Sequence, residues 1–72
     1  MIIMPLTMVE TGKPNTIKKV GGKGDTKRFL ENLGFVSGSI VTVISVMNGN
    51  MIVNIKDSRV AIGEDMARKI IV

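Results

Sequence analysis

Residues 40–55 read IVTVISVMNGNMIVNI, and their pattern is the clearest indication of the fold class. Its first half is dominated by Ile, Val and Thr, the residue types that favour strands. Asn48-Gly49 follows, which is the strongest short-range signal for a hairpin with a two-residue turn. The stretch therefore predicts a β-hairpin in which Met47 pairs with Asn50.

The position of this turn also predicts which side chains of the hairpin face the core. Cross-strand partners lie on the same face of a sheet, so the register sorts the hairpin into a largely apolar face and a mixed face. The predicted inward pairs are Val46 with Met51, Ile44 with Val53, and Thr42 with Ile55. The second face is predicted to carry Ser45 with Ile52, Val43 with Asn54, and Val41 with Lys56.

The segments on either side of the hairpin predict further short strands. Downstream, the pattern predicts a turn at residues 57–58, a strand at 59–62, a helical turn over 63–68, and a closing strand at 69–72. Upstream, strands are predicted at residues 6–9 and 16–20, with the turn formers of residues 10–15 between them. We expect the terminal strands to cover each other's edges.

One amphipathic helix is predicted between the upstream strands and the hairpin. It follows the glycine-rich residues 21–24, with Asp25 as its N-cap and Gly34 as the residue that ends it. One face is apolar and consists of Phe29, Leu30 and Leu33. The other face is charged and consists of Lys27, Arg28 and Glu31.

Together these elements predict a mainly β fold, a small barrel of about five short strands with one short α-helix and a C-terminal helical turn. The length of 72 residues leaves room for a single domain over residues 1–72, in which residues 1–4 are the candidate for a frayed tail. A core of this size is expected to stabilise the chain by only roughly 3–5 kcal/mol. Such a margin disfavours an active site with unpaired buried charges.

The residue types that the sequence lacks limit its chemistry. There is no Cys and no His, which excludes disulfides, thiolate metal sites and the usual general base at neutral pH. We therefore expect no enzymatic activity and no cofactor. Residues 1–5 are apolar but lack the basic start of a secretory signal, and this predicts a cytoplasmic protein.

The end of the helix and the strand after it resemble the FeoA family, the small ferrous iron transport protein A. The matching positions are structural glycines and core aliphatic or aromatic residues: Leu6, Gly12, Ile17, Val20, Leu33, Gly34, Phe35, Gly38, Ala67, Ile70 and Val72. Ser37 stands where the family usually has Pro.

The resemblance implies an SH3-like barrel and a non-catalytic, cytoplasmic accessory protein of ferrous iron uptake. Its implied partner is FeoB, a membrane transporter of ferrous iron that carries a GTPase domain, and it would reach the inner face of the membrane only through this partner. The alternative is a stand-alone SH3-like module of the iron-dependent repressor type, which binds a peptide or a regulator protein. The sequence contains no helix-turn-helix region to accompany such a module.

Basic residues are concentrated in one part of the sequence. Residues 13–28 hold six of the ten Lys and Arg residues and one acidic residue. We predict a partner-binding surface with Lys23, Lys27 and Arg28 as charged contacts, and with Phe35 either as an apolar anchor or as part of the core. A solvated basic face is the simpler alternative. With two Phe and no Tyr or Trp for base stacking, no nucleic-acid binding is predicted.

Three other kinds of binding site fit the sequence poorly. Residues 21–24 share only their glycines with a phosphate loop, because the G-x-x-x-x-G-K-[ST] spacing is absent. The carboxylates are scattered and adjacent only at Glu64-Asp65, so we expect no stable site for iron or another metal. The six Met residues are expected to fill gaps in the core rather than to bind copper(I).

Overall fold

The structure, a computed structural model, describes residues 3–72. Its strands are β1 (Pro14–Thr16), β2 (Lys19–Val20), β3 (Ile40–Met47), β4 (Asn50–Ile55), β5 (Ser58–Gly63) and β6 (Ile70–Ile71). Its helices are α1 (Asp25–Asn32) and α2 (Glu64–Ala67), and a 3-10 turn covers Leu6–Met8. The predicted mainly β fold with one short helix and a C-terminal helical turn is confirmed.

The strands form two antiparallel sheets. The larger has the order β1-β3-β4-β5, and the smaller pairs β2 with β6. Met4 lies against Val72 beside β6: the Met4 N–H donates to the Val72 carbonyl at 3.0 Å, and the Val72 N–H donates to the Met4 carbonyl at 2.9 Å. Met4, part of the predicted tail, is thus held by backbone hydrogen bonds. Residues 1 and 2 of that tail lie outside the described residues.

The core lies between the two sheets and is closed by both helices. The buried hydrophobic side chains belong to Leu6, Ile17, Val20, Leu30, Phe35, Val41, Val43, Met51, Val53, Ile55, Ile62, Ala67, Ile70 and Val72. No polar or charged residue is buried among residues 3–72. The core therefore consists of aliphatic side chains together with one methionine and one phenylalanine.

Residues 6–9 do not form the predicted strand. A strand would place Leu6 and Met8 on the same face, but Leu6 is fully buried and Met8 is 70% exposed. The chain instead makes a 3-10 turn in which the Met8 N–H donates to the Pro5 carbonyl at 3.0 Å. The prediction followed the residue types of this segment, which favour a strand. The observed burial of Leu6 together with the exposure of Met8 fits a single 3-10 turn instead.

The predicted strand over residues 16–20 is divided between the two sheets, so that six strands are present although residues 6–9 form none. β1 ends at Thr16 and β2 begins at Lys19. At the junction the Ile17 N–H donates to the Ser39 carbonyl, and the Lys18 N–H donates to the Ile71 carbonyl. The two buried residues, Ile17 and Val20, are three positions apart, which a continuous strand of period two does not allow.

The hairpin register is confirmed next to the turn and wrong beyond it. The three pairs nearest the turn are as predicted, namely Met47 with Asn50, Val46 with Met51, and Ser45 with Ile52. A β-bulge between Val43 and Ser45 then shifts the register, so that Val43 pairs with Val53, Thr42 with Asn54, and Val41 with Ile55. A bulge adds one residue to one strand and turns the following side chains to the opposite face.

The bulge corrects the predicted inward face. Val41 and Val43 are fully buried, although the predicted register placed them on the second face. Ile44, predicted to point inward, is 38% exposed, and Val46, predicted to point inward next to the turn, is 59% exposed. The second turn falls on Lys56-Asp57 rather than on residues 57–58, with positive φ values of 48° and 63° as a type I′ turn requires.

The helix boundaries differ by one residue from the prediction. The N-cap of α1 is Gly24, and Asp25 is the first helical residue. Its carboxylate makes no capping hydrogen bond but still lies at the positive end of the helix. α2 begins at Glu64, as part of the predicted helical turn, and β6 occupies the middle of the predicted closing strand.

Candidate partner-binding surface

The glycine-rich loop places Lys23 at the surface between β2 and α1. Gly22 has φ +99° and Gly24 has φ +54°, conformations that L side chains rarely adopt. These two glycines turn the chain from the sheet into the helix, and Lys23 lies exposed between them. No ion pair of Lys23 is found within the described part of the chain.

The C-terminal end of α1 decides the position of Phe35. Gly34 has φ +107°, its N–H donates to the Glu31 carbonyl at 3.0 Å, and the Phe35 N–H donates to the Leu30 carbonyl at 3.0 Å. These two bonds form a Schellman motif, which commonly brings an apolar residue after the glycine against the last turn of the helix. Phe35 is accordingly buried in the core with no exposed surface. It is a core residue and does not belong to the partner-binding surface.

Lys27 and Arg28 are exposed on α1, as the surface prediction requires. Arg28 Nη1 lies 3.9 Å from Asp25 Oδ1, with 75% of the arginine side chain and all of the aspartate side chain open to solvent. An ion pair this long and this exposed contributes little to stability. Arg28 therefore keeps its charge available to a partner.

Two residues that the sequence reasoning left out also belong to this surface. Phe29, expected on the buried face of α1, is 48% exposed. The Lys69 side chain crosses the glycine-rich loop, because its Cδ lies 3.4 Å from the point where a Cβ on Gly22 would stand. Pairing of β2 with β6 brings Lys69 to this position, and no local sequence signal indicates it.

Lys13, also in the basic stretch, makes a shorter ion pair than Arg28 does. Its Nζ lies 2.9 Å from Glu10 Oε2. The hydrogen bond and the charge of Lys13 lower the pKa of the Glu10 carboxyl below its ordinary value, and Glu10 raises the pKa of Lys13 in return. We define the basic surface as Lys23, Lys27, Arg28, Phe29 and Lys69.

Ser37, which stands where the FeoA pattern usually has proline, makes a side-chain hydrogen bond to the backbone. Its Oγ donates to the Lys18 carbonyl at 3.1 Å. The neighbouring Gly38 N–H donates to the Ile17 carbonyl at 2.8 Å. A side-chain hydrogen bond thus holds this loop against the junction of β1 and β2, where proline would restrict the backbone directly.

The remaining surface of residues 3–72 carries dispersed acidic side chains and a shallow depression. Within residues 3–72 no three acidic side chains come together as a metal site would need. A shallow depression of about 400 Å³ is lined by Ser39, Thr42, Asn54, Lys56 and Asp57, among other residues. None of these polar side chains is buried.

Neither α1 nor α2, the helices within residues 3–72, has the length and apolar character needed to span a membrane.

Comparisons with known proteins agree with the sequence resemblance. The family model described as the FeoA domain matches residues 4–72. The chain is 34% identical over 68 residues to the protein named "Putative Fe(2+) transport protein A" of Methanocaldococcus jannaschii, covering 94% of this chain and 83% of that protein.

Two solved structures share the fold. The crystal structure of an iron uptake regulatory protein (FeoA) superposes with a TM-score of 0.89 at 24% identity, covering 100% of this chain and 96% of that one. The FeoA of Stenotrophomonas maltophilia, complexed with zinc and described as an SH3 domain protein, gives a TM-score of 0.81 at 20% identity over 93% and 86%. The fold is the expected SH3-like barrel, and the chain belongs to the FeoA domain family.

Proposed function

We propose that this protein is a non-catalytic accessory protein of ferrous iron uptake that binds and regulates FeoB. The observation that carries the proposal is the family match, which covers residues 4–72, together with a relative named for Fe(2+) transport. FeoB and its GTPase domain enter through the family resemblance. The protein would act in the cytoplasm, at the inner face of the membrane, through this partner.

The chemistry of the basic surface supports a protein partner with an acidic face. Lys23, Lys27 and Arg28 are exposed cations beside an exposed aromatic ring, Phe29. Complementary charges speed the encounter of two proteins and orient it, and a central aromatic side chain commonly supplies binding energy once water is excluded. The basic surface combines both elements.

The absence of buried ionisable groups within residues 3–72 supports a role in binding rather than in catalysis. Catalytic acids and bases usually have pKa values shifted by burial or by close charged neighbours. The shifts found here belong to Glu10 and Lys13, which form one exposed ion pair.

The test is binding of the labelled full chain to the soluble GTPase domain of FeoB and to the complete transporter. Reversing two charges of the basic surface, in Lys27→Glu with Arg28→Glu, should weaken binding by at least about tenfold because both contacts become repulsive. Isothermal calorimetry gives the affinity, and NMR shift mapping locates the contact.

The matched control compares two single variants that change the net charge equally. Lys27→Glu lies in the basic surface, and Lys56→Glu lies in the turn between β4 and β5. We expect the first to lose affinity and the second to keep it. Equal losses of affinity in the two variants would show that the basic surface is not the contact. If the folded parent chain binds neither the GTPase domain of FeoB nor the complete transporter, the proposed function is refuted.

A further inference from the structure

β5 leaves one edge of the larger sheet open. It is the last strand in the order β1-β3-β4-β5, and within residues 3–72 its paired neighbour is β4. An edge strand presents unpaired N–H and C=O groups along its free side, which makes it a template for pairing with another strand.

The register shows which backbone groups point outward. The two-residue turn makes Ile55 and Ser58 a hydrogen-bonded pair, and such pairs alternate with non-bonded ones along an antiparallel ladder. Val60 and Ile62 therefore bond to β4. The backbone groups of Arg59, Ala61 and Gly63 point away from it, and none of them takes part in another backbone hydrogen bond within residues 3–72.

The two edges of this sheet differ in how well they resist pairing. The β1 edge has three residues, begins with Pro14, and borders the bulge in β3. β5 has six residues in unbroken register with β4 and contains neither proline nor bulge. Short strands, prolines and bulges are the usual means of blunting an edge, so β1 is protected and β5 is open.

We propose that β5 pairs antiparallel with β5 of a second copy of this chain, about a twofold axis through Ala61. In this register Ala61 faces Ala61 of the second copy, and Arg59 faces Gly63. All three outward-pointing residues then find partners, whereas any other register with the correct hydrogen bonding pairs fewer of them. The arrangement is isologous, as expected of a twofold dimer.

The side chains favour this register as well. Ala61 is exposed and small, and Gly63 has no atom within 4 Å of the place where a Cβ would stand, so the strands can approach closely. Arg59 of one copy would lie opposite Gly63 and close to the acidic start of α2, Glu64-Asp65, in the other. The register centred on Arg59 would instead oppose two arginines, which is unfavourable.

The strand that fits the free edge of β5 is β5 itself, so the expected partner is a second copy of this chain. This inference does not depend on the proposed function. Sedimentation equilibrium of the full chain from micromolar to millimolar concentration should show a monomer–dimer equilibrium. In the dimer, hydrogen exchange at the amides of Arg59, Ala61 and Gly63 should slow with rising concentration, while the inward amides of Val60 and Ile62 stay unchanged.

Ala61→Pro is the direct test. It removes the outward donor at the centre of the interface without removing a hydrogen bond to β4, and proline is accepted on edge strands in this orientation. The dimer dissociation constant should rise by at least about tenfold, since two interchain hydrogen bonds across the axis are lost. Circular dichroism of the dilute monomer establishes that the variant is folded.

A charge variant keeps the test decisive if Ala61→Pro does not fold. Arg59→Glu places a carboxylate beside Glu64-Asp65 of the second copy and should weaken the dimer, whereas Lys27→Glu, which has the same effect on net charge, should not. A parent chain that stays monomeric at millimolar concentration would overturn the proposal. So would a dimer that Arg59→Glu and a folded Ala61→Pro leave unchanged, because its interface would then lie elsewhere.

Discussion

Gly34 turns the chain from the C-terminal end of α1 into the core. Gly34 adopts φ +107° so that Phe35 can turn inward from the end of α1. A Cβ at this position would stand 3.2 Å from Lys56 Cδ and 3.5 Å from Ile55 Cγ1. The left-handed backbone conformation therefore favours glycine here, and a Cβ would in addition press on the flexible Lys56 side chain.

Gly34→Ala should lower the free energy of unfolding by about 1–3 kcal/mol, because alanine adds backbone strain and a close contact. Gly12→Ala is the matched control, since Gly12 has φ +83° but no atom within 4 Å of its Cβ position. Urea unfolding of both variants separates the cost of backbone strain from the cost of the close contact. The explanation by contact is wrong if Gly34→Ala costs no more than Gly12→Ala.

The bulge in β3 decides which residues of the hairpin belong to the core. It allows Val41 and Val43 to point inward together with Val53 and Ile55 of β4. Without it, the register counted from Asn48-Gly49 would bury Ile44. One additional residue in one strand thus changes the composition of the core.

Alanine substitutions on the two sides of the bulge test this directly. Val43→Ala should destabilise the protein by about 2 kcal/mol, since it empties buried volume, and Ile44→Ala should cost under about 1 kcal/mol. Thermal or urea unfolding measures both changes. The reverse order of the two effects would mean that the unbulged register is the one in solution.

The sequence predicted those elements whose signals are local. The Asn48-Gly49 turn, the helix stop at Gly34 and the helical turn after Gly63 depend on residues within a few positions of each other. The bulge, the sheet change at Ile17 and the contribution of Lys69 to the basic surface depend on pairing between distant segments. The exposure of Lys23, Lys27 and Arg28 agrees with the sequence prediction, while their role as contacts stays a prediction.

For the whole molecule, charge and core are fully separated within residues 3–72. No charged residue is buried, and the ion pairs found there join side chains that are at least half exposed. Exposed pairs add little to stability, so the fold depends on aliphatic packing and on its hydrogen-bonded ladders. Charge reversals such as those proposed above can therefore change binding without unfolding the protein.

The pairing of β2 with β6 has a consequence for the order of folding. Val20 pairs with Ile70, so this sheet forms only when two distant parts of the chain meet, whereas β3, β4 and β5 are joined by two-residue turns. Long loops carry a greater closure entropy, which favours early formation of the meander in the folding transition state. Val53→Ala should therefore mainly slow folding, and Val20→Ala should mainly speed unfolding. Stopped-flow kinetics measures both rates. If the ratio of the change in folding activation free energy to the change in stability is similar at both positions, the two sheets form together.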